Sequence, residues 1–233
     1  MFDFGALIIG IIFMIIGFVV STTLKRKFEK YSKTPHSSGM SGAEAAEKML
    51  NYHGIRDVKI VSVPGKLTDH YNPMDKTVNL SPDVYEGRNA AAIAVATHEC
   101  GHAVQHAKSY QWLTLRSKLV PMQNASGKIL NIVILASIFG GYALFQAINV
   151  NFILYVLIAT YGVTTLFTFV TLPVEFDASN RALAWIKSTG SSNTQEYEQS
   201  KDALKWAAMT YVVAALASLT TLLYYISMLS RRD

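Results

Sequence analysis

The chain has 233 residues, 51% of them hydrophobic and only 16% charged, where about 25% charged is usual for a soluble globular domain. Its net charge of +5 is localised, with fifteen of the 21 Lys and Arg between Lys25 and Lys128, so the overall charge is no ground for reading the chain as a nucleic-acid-binding protein. A single cysteine, Cys100, excludes an intrachain disulfide and accords with a reducing compartment.

The apolar residues fall in four uncharged runs, Phe4–Leu24, Ile129–Ile148, Phe152–Leu172 and Ala207–Leu229. Each reaches the roughly 20 residues that a helix needs to cross the hydrocarbon core. The first is preceded by Asp3 and followed by Lys25, Arg26, Lys27, Lys30 and Lys33. A signal peptide carries its positive charge in front, so this run reads as an uncleaved anchor with residue 25 onward in the cytoplasm.

About a hundred polar residues follow. Lys33–Gly42 is rich in Ser and Gly and reads as a linker. Ser41 opens a capping box with Glu44, predicting a helix to about His53 closed by Gly54. The alternating, β-branched run Val58–Val63 and the segment Lys76–Ser81 are strand candidates, with a loop between them. Ser81-Pro82-Asp83 and Asn89 are helix starts, and the Ala-rich stretch after Asn89 predicts a helix carrying ATHECGHAVQH. Gln111–Lys128 reads equally as a segment lying on the membrane surface or as an ordinary amphipathic helix. The short connector Asn149–Asn151 makes runs two and three an antiparallel hairpin, after which Pro173–Ile186 and Glu196–Trp206 read as helices. The expected segments are therefore an anchor (1–24), a catalytic region (25–128), a membrane hairpin (129–172), two further helices (173–206) and a last span (207–233).

The chemistry lies in H-E-x-x-H. His98 and His102 are one helical turn apart, about 6 Å of rise and ~40° of rotation, so their imidazoles share a face. Such a pair takes two corners of a zinc tetrahedron. Glu99 then reaches a water on the same metal, from which it can take a proton and later pass it to a leaving amine. With six His in the chain, chance produces this pattern in about one such sequence in two hundred.

A catalytic zinc needs a third protein ligand and an open position. His106 lies ~12 Å of rise from His98, too far to share one ion. The extended motif H-E-x-x-H-x-x-G-x-x-H fails, with Gln105 and Lys108 where it requires Gly and His. Cys100 faces away from the two His and reads as a packing residue. The carboxylates after the motif are Glu175, Asp177, Glu196, Glu198, Asp202 and Asp233. Two membrane crossings separate the motif from Glu175, and an even number returns the chain to the same side, so Glu175 is the favoured third ligand. Asp177 has an ordinary alternative at a helix N-terminus.

These residues carry a resemblance. THECGHAVQH, EFDASNRA, LTDHYNPMDKTVNLS and LRSKLVPMQN, with the apolar runs around them, resemble the YugP-type neutral zinc metallopeptidases of bacteria over nearly the whole chain. More distantly the layout is similar to the HtpX and CaaX-prenyl membrane proteases, which are gluzincins. In those a Glu-x-x-x-Asp segment supplies the third ligand. Carried over, the Glu is Glu175, but the Asp position holds Ser179. Ser179 or Asp177 then holds a zinc-bound His in its tautomer, or neither does. The resemblance also implies that the strand near Thr77–Ser81 borders the cleft as an edge able to take up a substrate strand. His70, Tyr71 and Arg181 become candidate oxyanion donors. Their ordinary alternatives are a turn, a packing role and a surface ion pair.

The resulting expectation is a mostly α membrane protein with about four transmembrane helices and a small α+β zincin-like region. It would bind one Zn2+ per chain and hydrolyse peptide bonds of membrane-associated proteins from the cytoplasmic side of the cell membrane. Its partners would be the lipid bilayer and polypeptide substrates, with membrane-protein partners or self-association left open and no nucleic acid. The rival is a membrane scaffold with a structural or vestigial zinc site. A transporter fits less well, because its pathway would place ionisable groups inside the spans. One feature conflicts with the topology. Four crossings put Arg231 and Arg232 outside, against the positive-inside trend, unless the last run is re-entrant or interfacial.

Overall fold

A computed structural model describes residues 4–147, 149–190 and 192–231. Asp3, Ile148, Arg232 and Asp233, all weighed above, lie outside these. The chain forms two compact units: residues 20–114 with 173–209, and residues 4–19, 115–172 and 210–231.

The second unit is apolar helix. Among the described residues, four helices are long and apolar enough to cross a membrane: α1 (Phe4–Ser32), the Gln111–Phe139 part of α5 (Gln111–Ala147), α6 (Val150–Ser188) and α7 (Thr194–Ser230). Large apolar side chains such as Ile8, Phe18, Phe139 and Phe152 stand exposed along them, as lipid-facing surfaces do. Thr168 and Ser218 hydrogen-bond between α6 and α7 at 3.1 Å, the small-polar pairing common between membrane helices.

Three helices run further than the sequence signals suggest. Gln111–Lys128 is the opening of α5, Pro173 lies inside α6, and Glu196–Trp206 opens α7 without a break. A proline removes one backbone hydrogen bond and tends to kink or end a helix. Here α5 and α6 continue past Pro121 and Pro173. The last helix is a single unbroken 37-residue segment.

The first unit is α+β. Helix α2 (Gly42–Tyr52) has the full capping box, Glu44 N–H on the Ser41 hydroxyl and the Glu44 carboxylate on Ser41 N–H, and Gly54 closes it at φ +71°. Strands β1 (Lys59–Ser62), β2 (His70–Asn72) and β3 (Thr77–Leu80) form a sheet of order β1-β3-β2, parallel on one side of β3 and antiparallel on the other. The expected edge strand near Thr77–Ser81 is therefore the central one, because His70–Asn72, read as part of a loop, pairs with it. A short helix α3 (Pro82–Tyr85) leads to α4 (Ala90–Ala107), where the Asn89 side chain caps Ala92 N–H.

Helix α4 is Ala-rich because it is packed on several sides. It contacts α2, α3, β2 and β3, and Ala90 to Ala94 are all buried. Met49, Val78, Leu80, Val84, Ile93, Val104 and, from α6, Trp185 and Ile186 complete the core. Lys33–Gly42 is no loose linker. Ser37 gives its N–H and hydroxyl to Glu196, and His36 hydrogen-bonds Ser38 and Ser192.

Candidate metal centre

Two helices build the site, α4 with the motif and the C-terminal part of α6. They approach closely at Gly101. A Cβ there would lie 2.6 Å from the Ala178 carbonyl oxygen and 3.0 Å from its Cα. Only glycine lets the backbones meet so closely, and this contact brings Glu175, less than one turn before Ala178, to the two histidines.

His98, His102 and Glu175 each offer one donor atom, and these lie within 4.8 Å of one another. Glu175 Oε2 is 3.4 Å from His98 Nε2 and 3.5 Å from His102 Nε2. Ligands on arms of 2.0–2.1 Å at tetrahedral angles stand about 3.3–3.4 Å apart, close to the two separations between Glu175 and the histidines. His106 is outside the cluster and hydrogen-bonds the Tyr71 hydroxyl through Nδ1 at 2.8 Å. Cys100 is fully buried against Ala46, and burial pushes its thiol well above the ordinary value.

Charge follows from the same geometry. Burial alone would raise the Glu175 carboxyl, yet the His102 and His98 rings beside it hold it well below the usual carboxylate range. Burial would lower His102, but the neighbouring Glu175 and Glu99 carboxylates keep it above its ordinary value. A carboxylate that stays ionised at 2% exposure is suited to a cation.

Each histidine is also held from behind. The Ser179 hydroxyl lies 3.1 Å from His98 Nδ1. His102 Nδ1 lies 3.0 Å from Gln105 Oε1. Gln105 Nε2 donates to the Val174 carbonyl at 2.7 Å and to Asp177 Oδ2 at 2.8 Å. Asp177 thus reaches His102 through Gln105, a residue that entered the sequence reading only as a departure from a longer motif. Its available signal was its place one turn beyond His102.

Glu99 is buried, and its Oε2 accepts the Tyr71 backbone N–H at 2.9 Å. Strand β2 therefore sets this carboxylate. His70 is exposed, its Nδ1–H donating to the Thr68 carbonyl at 2.7 Å. Arg181 pairs with Asp177 at 2.6 Å and lies over the Tyr110 ring at 5.8 Å.

Fold and site together define a mostly helical membrane protein with a small α+β region and a His98–His102–Glu175 group able to hold a metal ion. The chain belongs to the family described as "Putative neutral zinc metallopeptidase", whose sequence profile matches residues 6–230. It is similar to the "Putative membrane protease YugP" of Bacillus subtilis (strain 168), 42% identical over 211 residues, 90% of each chain. No solved structure matches it.

Proposed function

We propose that this chain is a gluzincin-like zinc endopeptidase in which His98, His102 and Glu175 hold one zinc ion and Glu99 is the general base. The observation that carries the reading is the pair of donor separations, 3.4 and 3.5 Å. These are long for strong N–H···O hydrogen bonds but match the edges of a zinc tetrahedron. Zinc in such a site supplies an acidified water and a Lewis-acid contact for the scissile carbonyl. Glu99 takes the proton of the attacking water and returns it to the departing amine. The Tyr71 N–H orients Glu99 for both transfers. Of the candidate substrate contacts, Tyr71 lies beside the base through its backbone N–H with its hydroxyl on His106, and Arg181 is engaged by Asp177 and lies over the Tyr110 ring.

The substrates are polypeptides in or near the bilayer, in keeping with the relative's printed description as a membrane protease. The basic residues after the first span favour a site on the cytoplasmic side of the cell membrane. The test is metal analysis and proteolysis of the purified protein with two variants. Glu175→Ala is expected to lose zinc. Glu99→Gln is expected to keep zinc and lose about 10²-fold or more in rate. Full zinc occupancy in Glu175→Ala would sink the ligand assignment. Full proteolysis in zinc-loaded Glu99→Gln would overturn Glu99 as the general base, and a zinc-loaded parent without proteolysis would leave a structural zinc site in a protein of another function.

A further inference from the structure

The two candidate zinc histidines are held differently. A serine hydroxyl donates or accepts, so Ser179 leaves the proton on the His98 ring undetermined. Gln105 does not. It is fully buried and its amide meets three groups. The Val174 carbonyl, 2.7 Å away, can only accept. The Asp177 Oδ2 atom, 2.8 Å away, already accepts from the Arg181 guanidinium. Turning the amide over would set its oxygen against both acceptors. The amide nitrogen therefore faces Val174 and Asp177, and Oε1 faces His102 Nδ1 at 3.0 Å. An amide oxygen can only accept, so the proton of a neutral His102 belongs on Nδ1, which leaves the Nε2 lone pair on the side of Glu175.

We propose that Gln105 is a positioning residue for the metal centre: it fixes His102 as the Nδ1–H tautomer, and Asp177, itself held by Arg181, locks Gln105. This rests on the zinc-ligand reading above. The arrangement crosses between the two helices of the site. His102 and Gln105 belong to α4, whereas Val174, Glu175, Asp177 and Arg181 belong to α6. One buried amide thus ties the orientation of one ligand to the helix that carries another. Outer hydrogen-bond partners of this kind are worth roughly 10–100-fold in metal affinity.

The test uses the full chain in detergent micelles, with zinc affinity measured by chelator competition. Gln105→Met keeps the side-chain volume and removes the amide, and it is expected to bind zinc ~10–100-fold more weakly than the parent. Asp177→Asn leaves the Val174 carbonyl to hold the amide and is expected to lose less. A merely structural Gln105 would lower the melting temperature of the metal-free protein and leave the zinc dissociation constant unchanged. A folded Gln105→Met with parental zinc affinity overturns the proposal. If that variant does not fold, imidazole ¹⁵N shifts of the metal-free parent, at a pH where the ring is neutral, decide the matter. Protonation at Nδ1 of His102 is expected, and protonation at Nε2 overturns it. A parent that binds no zinc in its His98–His102–Glu175 site refutes the function reading instead, and the tautomer measurement still stands by itself.

Discussion

Gly101→Ala tests how the metal centre is assembled. The added methyl would sit 2.6 Å from the Ala178 carbonyl oxygen and 3.0 Å from Ala178 C and Cα. Ordinary van der Waals contact begins near 3.4 Å, so α4 and α6 must separate locally by about 1 Å, because the obstacle is backbone and cannot swing aside. Metal–ligand distances tolerate only about 0.2 Å. Glu175 rides the displaced helix, whereas His98 and His102 ride the other, so the three donors can no longer close on one ion. We expect overpacking to cost about 1–3 kcal/mol of stability and zinc affinity to fall at least as far as for loss of an outer partner, ~10–100-fold. Thermal melting of the metal-free protein and chelator competition read the two effects separately. A variant that melts normally and binds zinc like the parent would refute the claim that this contact sets the ligand geometry.

Two further outcomes are expected. The Glu196 carboxyl is buried, which alone would raise it, but hydrogen bonds from Ser37 and Asn193 hold it below its usual 4.5. A depressed folded-state value contributes stability that is present above pH 4.5 and is lost as the pH falls through the folded value. Glu196→Gln should therefore flatten the acid limb of the melting-temperature profile, and an unchanged acid limb would count against this anchor. For topology, cysteine placed at the exposed Lys66 should react with an impermeant thiol reagent only after the membrane is opened. The native Cys100 is fully buried and stays silent. Labelling of Lys66→Cys in intact cells would reverse the orientation.

Much of the site was legible from local pattern. The Asn89 cap, the Ala-rich run and the four-residue spacing of His98 and His102 are short-range features, and α4 carries them as read. Glu175 was reachable because counting membrane crossings needs only the apolar runs. Strand β2 was not legible, since three residues of mixed character become a strand only by pairing with β3. Its existence turned the expected edge strand into the central one and placed the Tyr71 N–H on Glu99. The lengths of α5, α6 and α7 were missed because proline and polar residues end a helix by local rules, and these helices continue past them.

The amino-acid sequence by itself determined the motif helix, the apolar spans and the short set of carboxylates able to serve as third ligand, because helical periodicity, capping and hydropathy act over a few residues. Only the tertiary structure decided that Gly101 brings α6 against α4, that Gln105 rather than Asp177 touches His102, and that Arg181 is spent on Asp177. Those contacts join residues some seventy positions apart or depend on which face of a helix is buried, and no local propensity encodes the distance between two packed backbones.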